Sequence, residues 1–386
     1  MDELASKSLL PNGLRDGLPP DAGHEADIHN LVLGTFAARG YERVEPPLVE
    51  FEESLLNGAG EALALSTFRL MDPVSQRMMG VRADMTPQIA RIATTRLQKA
   101  PRPLRLSYGG PVLRVRGNPL QPDREFRQAG VELIGAEESA ADCEVVLLAF
   151  EALKKAGVRQ LSVDLTLPTL VPGVCTELSL DPATVRRIRV ALDRKDSAAI
   201  LAIGGKAAAM LGRLLDAAGP VEKALPALEA ASLPPGPAAE RARLVAVADV
   251  LRREAPELDV TVDPVENRGF EYHSGLSFTF FARGVRGELG CGGRYLAGHA
   301  GEPSTGFSLF LHNLLRAVTF PPAAKRLLLP LGASETEGDA FRTQGWVTVA
   351  GLAAIANLET EARRLLCSHY LVDGSPVAVA PEGDSE

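Results

Sequence analysis

The chain has 386 residues, 46% hydrophobic and 23% charged, enough for two or three globular domains with real cores. Its net charge of −8 argues against a general nucleic-acid binder, which shows a basic domain or stripe. Cys143, Cys175, Cys291 and Cys367 lie far apart without a C-x-x-C, so reduced cysteines in a cytoplasmic protein are expected, with no zinc site, disulfide framework, metal or cofactor.

The N-terminus, MDELASKSLLPNG, carries acids at positions 2 and 3 and no long apolar run, so it does not read as a signal peptide. No apolar segment approaches the roughly 18 residues that a membrane span needs. Pro19 and Pro20 precede a periodic stretch, Ile28, Leu31, Val32 and Phe36, which predicts a helix ending at Gly40. YERVEPPLVEFEE then reads as a strand broken by Pro46 and Pro47. Two prolines exclude a central strand, leaving an edge that could pair across a dimer or a plain exit into a loop. Residues 67 to 82 read as a hairpin turning at DPVSQ. A helix follows with Thr86 as N-cap and Pro87 at N1, and Asp84 just before it. Taken alone, Asp84 complements the helix dipole.

The stretch Tyr108 to Gly135, YGGPVLRVRGNPLQPDREFRQAGVELIG, alternates on both arms and predicts two strands joined by the loop GNPLQPD. Leu113 and Val115 oppose Arg114 and Arg116 on the first arm; Ala129, Val131 and Leu133 oppose Gln128, Gly130 and Glu132 on the second. The polar face is either a half-exposed sheet surface or the floor of a small zwitterion site. Arg114, Gln128 and Glu132 would then surround the gap left by Gly130.

Residues 139 to 156 read as an amphipathic helix and QLSVDLTL as a strand. Residues 176 to 257 are rich in Ala and Leu, interrupted by PPGP at 234 to 237, and read as an inserted helical subdomain. Three strands are expected between 260 and 295, where GCGGRY reads either as a tight turn or as a close approach of backbone to ligand. It is not a phosphate loop. STGFSLFLHNLLRAV, residues 304 to 318, reads as an almost wholly apolar buried helix. From Lys325 the pattern is strand, helix, strand, helix, a small α/β domain ending in the polar tail VAPEGDSE. The expected domains are 1–320, with 176–257 inserted, and 325–386.

In order, PNGLRDGLPP, VEPPLVE, GPVLRVR with REFRQAGVELIG, RGFEYHSG, CGGRY and STGFSLFLHNLL resemble the motifs of histidyl-tRNA synthetases over residues 11 to 318. The resemblance implies an α+β fold of the class II aminoacyl-tRNA synthetase type. Such a fold is an antiparallel sheet flanked by helices, here with a helical insertion and a small C-terminal α/β domain. It also implies a histidine pocket. Asp84, Thr86 and Gln128 would hold the α-amino group, Arg268 and Gln128 the carboxylate, and Glu132 would accept from the imidazole. Tyr295, Gly292 and Gly293 would line the ring slot. His273, preceded by Tyr272, stands where the family has a second tyrosine, and Arg114 belongs to the same polar floor. An ammonium wants acceptors, a carboxylate a guanidinium fork, and an imidazole N–H a carboxylate.

The departures point away from the synthetase reaction. Motif 2 is Phe-Arg-x-Glu in a synthetase and Leu113-Arg114-Val115-Arg116 here. Phe310, His312 and Asn313 stand at the motif 3 positions, without its glycine or its phosphate-clamping arginine. Keeping the amino-acid site and losing the ATP site resembles the regulatory subunits of ATP phosphoribosyltransferase. Those pair with a short-form catalytic subunit in the first step of histidine biosynthesis and carry feedback by histidine. The implied chain is a non-catalytic homodimer within a hetero-oligomer, with L-histidine as effector and no tRNA. The alternatives are an active histidyl-tRNA synthetase, ligating histidine to tRNA with ATP, and another amino-acid-binding scaffold with an unrelated partner.

Overall fold

The structure, a computed structural model, describes residues 9–56, 63–117, 122–266, 273–298, 300–320 and 324–380. Arg268 and Tyr272, much of the RGFEYHSG motif, and the end of the polar tail lie outside the described residues.

Helix α1, Asp21–Ala38, buries Ile28, Val32, Leu33 and Phe36, and Gly40 follows it at φ +80, where a side chain would be strained. The broken strand then resolves into two. β1, Glu42–Arg43, pairs parallel with Leu106–Ser107, and β2, Val49–Phe51, pairs with Met79–Val81 in a separate small sheet. Pro46 and Pro47 carry the chain from one sheet to the other, and both strands lie on edges. Helix α2 is Glu52–Leu55. The expected hairpin is β3, Phe68–Met71, with β4, Met78–Val81, which completes a sheet in the order β2-β4-β3.

Helix α3, Thr86–Thr95, starts one residue earlier than expected. Thr86 is its first residue rather than its cap; the Asp84 carboxylate takes the capping role by accepting from the Thr86 N–H at 2.8 Å. Strands β5, Leu104–Leu113, and β6, Glu125–Ile134, form the central hairpin in the register Tyr108 opposite Gly130 and Gly110 opposite Gln128. Arg114 and Arg116 lie beyond the end of β5.

Helix α4, Ser139–Lys155, and strand β7, Leu161–Thr166, follow. Helices α5 to α10 run Leu170–Glu177, Pro182–Asp193, Ser197–Leu201, Gly205–Asp216, Val221–Glu229 and Pro235–Glu254. The short β8, Gly219–Pro220, interrupts them and joins the sheet beside β9, Asp259–Asp263. β10, Ser277–Ala282, β11, Gly290–Ala297, and β12, Glu302–Phe310, complete a nine-stranded sheet. Its order is β1-β5-β6-β12-β11-β10-β7-β9-β8, antiparallel except for β1–β5 and β7–β9.

Two readings are corrected here. Residues 304 to 310 are strand β12 rather than helix, and only Leu311–Ala317 is helical, α11. β12 lies between β6 and β11 and is buried through Ser304–Phe310. A strand covered on both faces shows a continuous apolar run that periodicity cannot tell from a buried helix. GCGGRY is strand β11, not a tight turn. Its glycines let neighbouring backbone approach: a Cβ on Gly292 would meet the Gly306 carbonyl and the Phe278 ring.

The chain divides into two compact units, Met1–Thr319 and Phe320–Glu386. The second holds β13, Arg326–Leu329, α12, Glu335–Thr343, β14, Val347–Ala350, and α13, Leu358–Arg364. It then adds a hairpin not anticipated, β15, His369–Val372, and β16, Ser375–Ala378. The Asp373-Gly374 pair at its tip, both at positive φ, was the available signal. The order is β14-β13-β15-β16. Among the described residues no helix is long and apolar enough to cross a membrane.

Candidate functional site

The polar face of the central hairpin closes into a pocket. β6 supplies Glu132, β11 supplies Cys291, Gly292, Gly293 and Tyr295, and β12 supplies Gly306, Phe307 and Ser308. Asp84 and Thr86 close it at the start of α3, and His273 lies on its far side. The space between these residues is small and partly open to solvent.

Glu132 is the chemical centre. It is 1% exposed and accepts from the Tyr295 hydroxyl at 2.9 Å and the Tyr108 hydroxyl at 3.2 Å. Burial pushes its carboxyl up to about 8, with the Asp84 charge adding to the rise, while the bonds from Tyr295, Thr86 and Tyr108 oppose it. Gly306, opposite Glu132 in the register, is the reason the carboxylate fits: a Cβ there would collide with Glu132 Oε2 and the Val131 carbonyl.

The gap expected at Gly130 is filled. Tyr108 stands opposite it, and its hydroxyl takes the place a Cβ would need. That hydroxyl also meets Ser308 Oγ at 2.8 Å and Thr86 Oγ1 at 3.2 Å, so it ties β5, β6, β12 and α3 together. Gln128 is fully buried behind Asp84. Its Nε2 donates to Asp84 Oδ2 at 3.2 Å, and its Oε1 accepts from the Met85 N–H at 3.1 Å. Gln128 therefore orients Asp84. Burial holds the His273 imidazole down to about 4, so it is neutral at pH 7.

Of the expected residues, Asp84, Thr86, Glu132, His273, Gly292, Gly293 and Tyr295 line the pocket, and Gln128 backs it. Arg114 does not line it. Its guanidinium lies 4.9 Å from the Phe126 ring and 6.0 Å from the Phe310 ring, and Nε donates to the Ala83 carbonyl at 3.3 Å. Tyr108, Cys291, Gly306, Phe307 and Ser308 were not anticipated. The signal for Tyr108 is its polar-tipped ring at the start of the same hairpin; its place across from Gly130 comes from the register.

The residues at the motif 3 positions form a packed cluster. Phe126 meets Phe310 edge-on at 5.8 Å and the His312 ring at 4.7 Å. Burial holds His312 down to about 4. Asn313, fully buried, donates to the Glu288 carbonyl at 2.7 Å. These are structural contacts that leave neither a glycine gap nor a free cation at residue 313.

The family model for histidyl-tRNA synthetase matches residues 13–314. A protein of Rhodospirillum centenum named ATP phosphoribosyltransferase regulatory subunit is 56% identical over 369 residues, 96% of each chain. Among solved structures, an ATP phosphoribosyltransferase regulatory subunit/histidyl-tRNA synthetase from Bacillus halodurans is similar with a TM-score of 0.79 at 24% identity. That match covers 94% of this chain and 96% of the other. A chain of the ATP phosphoribosyltransferase (HisG:HisZ) complex from Thermotoga maritima is similar with a TM-score of 0.59 at 17% identity, covering 74% and 97%. These two likenesses bear on the fold, which is of the class II aminoacyl-tRNA synthetase type.

Proposed function

The chain belongs to the family of ATP phosphoribosyltransferase regulatory subunits, within the wider histidyl-tRNA synthetase family, and from that premise we propose that its pocket binds free L-histidine as a feedback signal. Its function is regulatory and non-catalytic, in histidine biosynthesis. The observation that carries the histidine reading is Glu132, a carboxylate buried beneath two tyrosine hydroxyls at the closed end of a narrow slot. An imidazole N–H suits that acceptor, and the glycine edges of β11 and β12 leave room for a flat ring.

In this reading Asp84 and Thr86 hold the ammonium group, with Gln128 acting through Asp84. Tyr295, His273, Gly292 and Gly293 bound the ring. Arg268 and Gln128 are assigned the carboxylate, and Tyr272 is kept in the same set; Arg268 and Tyr272 lie outside the described residues. Arg114, with its guanidinium over the Phe126 ring, stands outside the pocket.

The partner is the short-form catalytic subunit of ATP phosphoribosyltransferase. The chain acts in the cytoplasm as a homodimer through the Pro46–Pro47 segment, inside a hetero-oligomer and without tRNA. Histidine biases the subunit arrangement by roughly 1–3 kcal/mol, and the catalytic partner changes histidine affinity by the same factor. The test is Glu132→Ala in the assembled complex. Histidine binding weakens by about 1–3 kcal/mol and inhibition moves to correspondingly higher histidine. Unchanged inhibition would place the effector elsewhere.

A further inference from the structure

The pocket floor is one face of a short segment, Arg82 to Gln88, whose two ends are fastened elsewhere. Arg82 is 5% exposed; its Nη1 donates to the Pro46 carbonyl at 2.9 Å and its Nε to the Pro111 carbonyl at 2.7 Å. Its backbone N–H reaches the Leu48 carbonyl at 3.1 Å. Gln88 is 1% exposed and donates from Nε2 to the Pro47 carbonyl and to Glu50 Oε1, both at 2.8 Å. One turn further along α3, Arg91 clamps the same carboxylate with two bonds, at 2.9 and 2.5 Å. Prolines have no N–H, so the carbonyls of Pro46 and Pro47 are the backbone handles of this crossing, and the pocket segment holds both.

The crossing joins the two sheets, which also meet where the Leu113 and Val115 N–H groups donate to the Arg82 and Ser66 carbonyls. Asp84 and Thr86, between Arg82 and Gln88, belong to the pocket. β2, just past Pro47, belongs to the small sheet, which exposes Leu70, Met71, Val74 and Met78. Gln88 Oε1 is buried without a hydrogen-bond partner, although two acceptors on Nε2 fix the amide's orientation.

We propose that Gln88, with Arg82 and the Arg91–Glu50 pair, is a positioning group that passes occupancy of the pocket to the Pro46–Glu50 crossing. This rests on the histidine reading above. An ammonium drawn between Asp84 and Thr86 shifts the first turn of α3; Gln88 and Arg91 ride on that helix, and Pro47 and Glu50 follow. The crossing is the bistable element that both sites bias.

The experiment compares wild type, Gln88→Met and Glu50→Gln. It measures histidine affinity of the chain by calorimetry, and the activity of the assembled complex at saturating histidine. The expected result is affinity within about threefold of wild type in both variants, with inhibition at saturation reduced by half or more. Full inhibition in both variants overturns the proposal. So does loss of histidine binding in step with inhibition, because Gln88 and Glu50 would then belong to the site itself. A wild-type chain that does not bind histidine overturns the pocket reading and the relay together. Glu50→Gln keeps the side-chain shape and an acceptor for Gln88, so it decides the matter if Gln88→Met does not fold.

Discussion

Glu132 couples the site to pH. Its carboxyl, raised by burial from 4.5 to about 8, binds its proton more tightly in the folded chain than in the unfolded one. Between those values the folded state therefore holds the extra proton, and stability falls as pH rises through the window. Glu132→Gln removes this slope. Melting followed from pH 5 to 8.5 should show wild type losing ground to the variant as pH rises, and parallel curves would refute the assignment. Histidine binding should tighten over the upper part of that window, as the carboxylate becomes free to accept an imidazole N–H. Much of this residue-level picture was legible only through a family resemblance. Alternation put Gln128, Gly130 and Glu132 on one face, but ordinary surface charges would alternate in the same way. Tyr108 and Gly306 were missed because their roles depend on register, Tyr108 across from Gly130 and Gly306 across from Glu132. A sequence read strand by strand does not carry register.

At the scale of elements, the prolines, the β3–β4 and β5–β6 hairpins and strands such as β7 and β10 are readable, whereas β12, the nature of the β11 glycine run and the β15–β16 hairpin are not. Pro46 and Pro47 marked the break between β1 and β2 because proline cannot serve a central ladder. β12 reads as a helix in sequence because it is covered on both faces and shows a continuous apolar run. The glycine run of β11 looked like a turn because its backbone packing against β12 is invisible in sequence. A buried charge cluster holds the insertion's last helix to this sheet. Asp142, 1% exposed, accepts from Arg294 of β11 at 2.9 Å and from Arg243 of α10 at 3.1 Å. Arg294 also donates to the carbonyls of Ala136 and Glu138. Removing one member of a buried pair costs about 3–5 kcal/mol, because the partner charges stay buried. Asp142→Ala should lower the melting temperature by roughly 6 °C or more. A shift below about 2 °C would show that the arginines find other acceptors.

At the scale of the molecule, the proposed histidine pocket lies beside a packed cluster at the motif 3 positions. Gly292, Gly293 and Gly306 let backbone and the Glu132 carboxylate pack closely around the pocket, whereas Phe126, Phe310, His312 and Arg114 pack against one another at the motif 3 positions. Composition and periodicity bounded the chain to two or three domains, with an Ala- and Leu-rich helical segment and a small terminal α/β domain, and the family resemblance implied the α+β class. Ordered motifs gave the family, and the substitutions at Arg116, Phe310 and Asn313 gave the branch. The most direct measurement is calorimetry on the purified chain, titrated separately with L-histidine and with ATP. The account predicts saturable binding of one histidine per chain, weakened about ten- to hundredfold by Glu132→Ala, and no heat of binding from ATP. ATP binding with pyrophosphate exchange, or histidine binding untouched by Glu132→Ala, would contradict it.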